Sequence, residues 1–180
     1  MAGVILYHGT LSENVPAILK KGILPRTRED CIKLVEELEL EEEEEAYTFA
    51  LVRCLATTGK VYLSGSKKYA IDNCRAGLEV EFESVWIGSL RFDPVLAREA
   101  LEELKKIPCS VLEVEVPSEV VPKSGGGRWE GEPIGKIMKE AVPFMKAIMP
   151  ELTEEEAKSR LKEFTFEKVP AEWIKTHYPV

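Results

Sequence analysis

The side chains best suited to bind a metal ion or to act as nucleophiles are scarce and widely spaced in this chain of 180 residues. The two histidines, His8 and His177, lie near opposite ends, so a zinc site built on histidine would need carboxylates from elsewhere. The cysteines are too far apart for a Cys-x-x-Cys metal or redox pair, and they are Cys31, Cys54, Cys74 and Cys109. We therefore expect no metal site, and we expect the cysteines to be reduced and mostly buried.

A glycine-rich segment is the second feature with chemical potential, because glycine loops hold phosphate groups in many nucleotide-binding proteins. The segment Lys123-Ser-Gly-Gly-Gly-Arg128 lacks the Gly-Lys-Ser/Thr ending of a P-loop, and no Gly-x-Gly-x-x-Gly motif opens a helix. The sequence also lacks a Gly-x-Ser-x-Gly motif. These patterns argue against a P-loop enzyme, a Rossmann dinucleotide site and a serine hydrolase.

A strand, a turn and a helix are predicted at the beginning of the chain, around His8. The apolar run Val4-Ile5-Leu6-Tyr7 predicts a strand buried on both faces, and Gly9-Thr10 predicts a turn after it. Ser12 is placed to cap a helix that ends at Gly22. This segment would present His8 at the end of a strand.

The same order of elements recurs further along the chain. Val61-Tyr62-Leu63 predicts a strand, and Ser64 to Ser66 turn the chain into a helix that includes Tyr69, Ala70 and Cys74. Periodicity and cap signals predict the remaining elements. These are helical patterns over residues 28–57 and 93–104, half-exposed strands over 78–83 and 112–116, helices over 136–149 and 153–162, and a last strand at Phe164-Thr-Phe166.

Three sequence motifs occur in an order that is typical of one enzyme family. They are Tyr7-His8-Gly9-Thr10 with Asn14-Val15-x-x-Ile18-Leu19-x-x-Gly22-Ile23-x-Pro25, then Gly59-Lys-Val-Tyr62-Leu-Ser64 with Tyr69-Ala70, and finally Val169-Pro170-x-Glu172-Trp173-Ile174 after the strand that begins at Phe164. Together they resemble the ADP-ribosyltransferase superfamily, in its His-Tyr-Glu branch, which includes the poly(ADP-ribose) polymerases.

The resemblance implies that NAD binds in a cleft between two small sheets and that the bond between nicotinamide and ribose is broken there. In this family the main chain at Gly9 would hold the nicotinamide carboxamide, and His8 would hydrogen-bond to a ribose hydroxyl of the adenosine half. Thr10 completes that cofactor-binding motif. Tyr62, and with it Tyr69, would stack on the nicotinamide ring.

Two further cofactor contacts have alternative explanations. Ser64 would hydrogen-bond to the carboxamide, or it would only turn the chain. Arg26 and Arg28 are placed to contact the NAD pyrophosphate, because a guanidinium matches phosphate oxygens, but arginines also occupy surfaces without such a role.

The catalytic group implied by the resemblance is a glutamate that bonds the 2′-hydroxyl of the nicotinamide ribose and stabilises the developing positive charge. Glu163 is the preferred candidate, because it stands at the start of the last strand, shortly before Val169-Pro170. Glu132, which follows Glu130 after the glycine loop, is the competing candidate. For both, the alternative is an ordinary surface glutamate among the 32 acidic residues.

The expected fold is α+β, with the split pair of small β-sheets and surrounding helices of an ADP-ribosyltransferase, in a single domain over residues 1–180. The expected function is transfer of ADP-ribose from NAD to a protein or nucleic-acid acceptor, with release of nicotinamide. One alternative is an NAD-dependent RNA 2′-phosphotransferase, although that family uses more histidines than this chain has. Another is a non-catalytic module that binds NAD, ADP-ribose or a protein.

Charge and hydropathy bear on partners and location. The chain has 24 basic and 32 acidic residues, and its net charge of −8 argues against a broad phosphate-binding surface. It therefore mildly favours a protein acceptor over a nucleic acid. Because no apolar run approaches the about 20 residues that span a bilayer, we expect a cytoplasmic protein without a membrane partner.

Overall fold

The computed structural model describes residues 3–36, 48, 51–52, 54–74, 106–161 and 163–180. They belong to two compact units, of which the first comprises residues 1–24, 61–74 and 109–180, and the second comprises residues 25–60 and 75–108. The strand predicted over 78–83 and the helix predicted over 93–104 lie outside the described residues. The elements are β1 (Val4–Leu11), α1 (Val15–Lys21), α2 (Arg28–Glu36), β2 (Val61–Leu63), α3 (67–74), β3 (Cys109–Val116), α4 (Ile134–Ile148), α5 (Glu154–Ser159), β4 (Phe164–Phe166) and β5 (Ile174–Pro179).

Two small antiparallel sheets form the first unit, so the α+β class is confirmed. One sheet has the strand order β1-β3-β5, and the other consists of β2 and β4. The strands predicted at Val61–Leu63 and Phe164–Phe166 are confirmed, and so is the capping box in which Thr153 and Glu156 begin α5.

The first strand differs from the prediction in two respects. It is longer, because Gly9 and Thr10, predicted as a turn, pair with Val111 and Ser110 of β3 and continue the ladder. It is also buried on one face only, since Leu6 is 0% exposed whereas Ile5 is 38% exposed.

The predicted start of α1 is wrong, and its predicted end at Gly22 is confirmed. The Ser12 hydroxyl hydrogen-bonds to the Ser110 hydroxyl at 2.8 Å and does not cap the helix, which begins at Val15 after a single 3-10 turn. The helix ends at Gly22, whose φ of 82° lies in the left-handed region that glycine adopts without strain.

The core of the first unit lies where the buried faces of the two sheets meet the apolar faces of α4 and α5. It includes Leu6, Leu63, Leu112 and Phe164, all at most 2% exposed. The first and the last residue pair of the β2–β4 ladder belong to this core, Val61 with Phe166 and Leu63 with Phe164. The intervening Tyr62 therefore faces the opposite side of that sheet.

The second unit contains α2 and a helical segment that includes residues 54–55. Thr27 and Asp30 cap the start of α2 reciprocally, because the Thr27 amide donates to the Asp30 carboxylate and the Asp30 amide donates to the Thr27 hydroxyl. A disulfide joins Cys31 of α2 to Cys54.

The cysteines correct the expectation of reduced thiols. Cys31 pairs with Cys54 in the second unit and Cys74 pairs with Cys109 in the first, so all four are disulfide-bonded. They are buried, as expected, at 0 to 8% exposure. Spacing along the sequence excludes a Cys-x-x-Cys pair, but it does not report which distant cysteines the fold brings together.

A search of the helices among the described residues finds none with both the length and the apolar character needed to cross a membrane.

Candidate functional site

The two predicted strand-turn-helix segments meet at the point where the two sheets join. Tyr7 of β1 and Ser64, directly after β2, form an antiparallel bridge in which each amide donates to the other residue's carbonyl at 2.8 Å. Continuing this register would pair Gly9 with Tyr62. That next bridge is absent from the described part of the chain. The two strands therefore separate immediately beyond the Tyr7–Ser64 bridge, toward Gly9 and Tyr62.

The separation leaves the edge of β1 open at Gly9. Along a strand, alternate residues direct their amide and carbonyl groups to opposite edges. Because Tyr7 directs both groups toward Ser64, Gly9 directs its own away from β3 and into the space beside Tyr62. A planar amide could pair with both Gly9 groups there.

The Tyr62 carbonyl, which the Gly9 amide would reach if the ladder continued, accepts a hydrogen bond from the side chain of His8 instead. Its Nδ1 lies 2.8 Å from the Tyr62 carbonyl oxygen. Because a carbonyl oxygen only accepts, Nδ1 carries the hydrogen, and Nε2 of the neutral ring is left as an acceptor. Nε2 has no partner among the residues that the structure describes.

Burial keeps this ring neutral. Desolvation lowers the pKa of His8 below its ordinary value, and the hydrogen bond to the Tyr62 carbonyl offsets only part of that effect. His8 is therefore a fixed hydrogen-bonding group at neutral pH and not a titrating base.

A second contact brings the predicted acid to a predicted aromatic residue. The Tyr69 hydroxyl donates to Oε1 of Glu163 at 2.6 Å, although the two residues are 94 positions apart. This hydrogen bond, together with partial burial, raises the pKa of Tyr69. Glu163 itself is exposed, so its carboxylate is held in a defined position while it stays accessible.

The helix that carries Tyr69 packs directly on Gly9. A Cβ atom at position 9 would lie 2.0 Å from the Ala70 carbonyl oxygen and 3.1 Å from Cβ of Cys74. Only glycine permits this approach without a backbone shift. Position 9 is therefore restricted to glycine by α3 as well as by any ligand at the open edge.

Two serines arrange the turn between β2 and α3. The Ser64 hydroxyl accepts from the Ser66 amide at 3.0 Å and is buried, which favours the chain-turning explanation of Ser64. Ser66 caps α3, because its hydroxyl accepts from the Tyr69 amide at 3.1 Å. Ser66 was not among the predicted site residues, although a serine before a helical pattern is a recognisable signal.

Three predicted site residues have other partners. Thr10 pairs with Ser110 in the sheet. The Glu132 carboxylate forms an ion pair with Lys136 at 2.7 Å, one turn away at the start of α4. Arg26 belongs to the second unit, where its guanidinium contacts the sulfur of Cys54 at 3.3 Å.

The glycine loop lies against the strand of Glu163, which the sequence did not indicate. Ser124 forms an antiparallel bridge with Thr165, and their hydroxyls are 2.6 Å apart. Gly125 has a φ of 106°, and a Cβ there would lie 2.3 Å from the Glu163 carbonyl oxygen. The loop therefore supports the backbone that presents the acid.

Neither the available models of protein families nor the curated proteins include a match to this chain.

Proposed function

We propose that this protein is an NAD-dependent ADP-ribosyltransferase of the His-Tyr-Glu type, with its site at the junction of the two small sheets. The proposal includes the finer fold assignment, a split pair of sheets around a nicotinamide-binding cleft. It also includes NAD as co-substrate and a protein or nucleic acid as acceptor.

The hydrogen bond between Tyr69 and Glu163 is the observation that carries the proposal. An exposed carboxylate held by a tyrosine from a distant segment is an arrangement suited to chemistry at a fixed place. Because Glu163 is exposed, its carboxylate does not need this hydrogen bond to compensate for burial. The motif order anticipated both residues, and Glu132 has Lys136 as its partner instead.

The open edge of β1 supports the binding of nicotinamide. A carboxamide has one acceptor and two donor hydrogens, and the Gly9 amide and carbonyl offer the matching pair. His8 then contributes its Nε2 acceptor to a ribose hydroxyl, which requires the neutral ring that burial favours. Tyr62, on the outer side of its sheet, and Tyr69 offer aromatic faces to the nicotinamide ring.

The reaction would break the bond between the nicotinamide nitrogen and C1′ of the ribose. The bonding electrons leave with nicotinamide, and positive charge develops on C1′ and the ring oxygen. The Glu163 carboxylate lowers the energy of this charge, and it accepts a hydrogen bond from the ribose 2′-hydroxyl. Tyr69 keeps the carboxylate oriented, and the acceptor nucleophile then attacks C1′.

The test measures nicotinamide release and NAD binding separately. We expect the wild-type chain to release nicotinamide and to unfold at a higher temperature with NAD, because a ligand that binds the folded state stabilises it. Glu163→Gln should reduce release by at least about 100-fold, the usual loss when an electrostatic stabiliser is removed, while NAD still raises the unfolding temperature. Glu167→Gln, an exposed acid after the same strand, is the matched control and should release nicotinamide at the wild-type rate.

The outcomes separate the competing functions. Thermal stabilisation by NAD without release by the wild-type protein would favour a non-catalytic binding module. Loss of release in Glu132→Gln but not in Glu163→Gln would transfer the catalytic role to Glu132. The proposal would be refuted if, at saturating NAD, the protein neither bound NAD nor released nicotinamide.

A further inference from the structure

The helix α3 is linked to the rest of the first unit by side chains on both of its sides. Tyr69 donates to Glu163, and the Lys67 ammonium lies 3.6 Å from the ring centre of Tyr178 in β5. At residue 74 the helix is bonded covalently, because Cys74 forms a disulfide with Cys109, the first residue of β3. Their Cα atoms are 6.4 Å apart.

The disulfide lies next to β1, on the face of the sheet that α3 covers at Gly9. The Cβ of Cys74 is one of the atoms packed over Gly9, and Cys109 pairs with Leu11 of the same strand. The bond therefore holds α3 against β1 only five residues from Tyr69. A small displacement of this helix would move the Tyr69 hydroxyl relative to Glu163.

We propose that Cys74 and Cys109 are positioning residues whose disulfide fixes the Tyr69–Glu163 pair, and that reduction of this bond loosens the pair. The consequence for NAD rests on the proposed function: the reduced protein should release nicotinamide more slowly. The oxidised protein is then the active form.

The redox step needs a dithiol reductant. A thiolate of the dithiol attacks the sulfur of Cys74, a residue that is 8% exposed, in preference to that of Cys109, which is 1% exposed. The bond between the two cysteines breaks, and Cys109 leaves as a thiolate that takes up a proton. The second thiol of the reductant then displaces Cys74, so that two cysteine thiols form and the dithiol becomes a cyclic disulfide.

Reduction removes the covalent constraint while the hydrogen bond of Tyr69 and the packing of Ala70 remain. The two sulfur atoms then separate to non-bonded distance, because two thiols no longer share a covalent bond. Reaction geometry is sensitive to displacements of about 1 Å, which cost up to about 100-fold in rate. We therefore expect an effect on the site without global unfolding.

The other disulfide provides a matched control. Cys31 and Cys54 form a buried disulfide in the second unit, and their removal leaves the Cys74–Cys109 bond intact. The double variant Cys31→Ser/Cys54→Ser should respond to dithiothreitol at α3 as the wild-type protein does. The double variant Cys74→Ser/Cys109→Ser should resemble the reduced wild-type protein and show no response there.

The experiment combines hydrogen–deuterium exchange of peptides that cover residues 66–74 with the rate of nicotinamide release from NAD, before and after dithiothreitol. We expect reduction to accelerate exchange in α3 and to slow release by at least about tenfold in the wild-type protein. Far-UV circular dichroism monitors folding. If the Cys74→Ser/Cys109→Ser chain does not fold, the comparison of oxidised and reduced wild-type protein still decides the question.

Each result has one meaning. Unchanged exchange in α3 after complete reduction would overturn the inference, and so would accelerated exchange with an unchanged rate of release. If reduction accelerates exchange but no form of the protein releases nicotinamide, the proposed function fails and the positioning link between the disulfide and α3 stands.

Discussion

His8 combines a ring nitrogen that is engaged in a hydrogen bond with a ring that burial keeps neutral. Its Nδ1 is committed to the Tyr62 carbonyl, and burial holds the ring in its neutral form. The ring therefore fixes the distance between the ends of the two strands where their ladder is interrupted. The same commitment leaves Nε2 as an acceptor, so structure and proposed ligand contact use different nitrogens.

The depressed pKa of His8 predicts acid sensitivity of the fold. Below about pH 6.5 the unfolded chain binds a proton at this residue that the folded chain resists, so stability falls as the pH is lowered through that value. His8→Gln keeps a donor for the Tyr62 carbonyl but does not titrate. We expect urea denaturation at about pH 7.5 and 5.5 to show a smaller acid loss in this variant, by up to about 1.4 kcal/mol per pH unit below 6.5.

His177, which is exposed, supplies the control for this measurement. His177→Gln should retain the wild-type dependence of stability on pH. An equal acid loss in His8→Gln and the wild-type protein would show that His8 is not the group responsible.

For the candidate site residues, the sequence indicated which side chains are involved but not which of them contact each other. Motif order pointed to His8, Tyr69 and Glu163, but the hydrogen bond between the last two joins segments 94 positions apart. The sequence favours Glu163 over Glu132 only through its place before Val169-Pro170 and does not show what either carboxylate contacts. What distinguishes them in the structure is that Glu132 has a lysine one helical turn away.

The glycine loop shows how one element supports another without contributing a side chain to the site. Its Ser124 extends the small sheet by pairing with Thr165 of β4, and Gly125 lies against the backbone of Glu163. The close approach requires both a left-handed φ and the absence of a Cβ atom. The loop therefore packs against the backbone at the start of β4.

Two alanine substitutions in this loop separate the effect of packing from that of conformation. Gly125 and Gly127 both have positive φ, but a Cβ at Gly127 meets nothing within 4 Å, whereas one at Gly125 would overlap the Glu163 carbonyl. Gly127→Ala should lower the free energy of unfolding by about 1 kcal/mol. Gly125→Ala should cost about 1–3 kcal/mol more and should also reduce nicotinamide release, because β4 has to move.

Denaturant unfolding and the release assay check this pair together. Equal losses of stability in the two variants would contradict the packing argument. Unchanged release in Gly125→Ala would show that the loop does not position Glu163.

Elements with a regular apolar pattern could be predicted, and those defined by tertiary pairing could not. β3 alternates Leu112, Val114 and Val116 with charged residues, and the structure buries all three. β5 was not predicted, because its three consecutive polar residues, Lys175, Thr176 and His177, and Pro179 at its end weaken the strand signal. Its position is determined by β3, along which it pairs from Ser110 to Val114 with one bulge.

At the scale of the whole molecule, the chain enters and leaves the first unit twice. Residues 25–60 and 75–108 form the second unit, and the latter segment starts and ends next to the bonded cysteines Cys74 and Cys109. The sequence contains no linker or composition change at these boundaries, so a single domain was the natural expectation. Contacts between distant segments define the units, and hydropathy patterns do not record such contacts.

The Cys31–Cys54 disulfide should stabilise the second unit without affecting the proposed site. It closes a loop with a sequence separation of 23 residues, for which the loss of chain entropy in the unfolded state is worth about 3 kcal/mol. We expect the double variant Cys31→Ser/Cys54→Ser to lose about that much free energy of unfolding in urea under oxidising conditions. Its affinity for NAD should equal that of the wild-type protein, because the contacts of His8, Gly9, Tyr69 and Glu163 described above all lie in the first unit. Wild-type stability in this variant would show that the bond contributes nothing to the fold. A loss of NAD binding in a variant that remains folded would show instead that the second unit takes part in binding the dinucleotide.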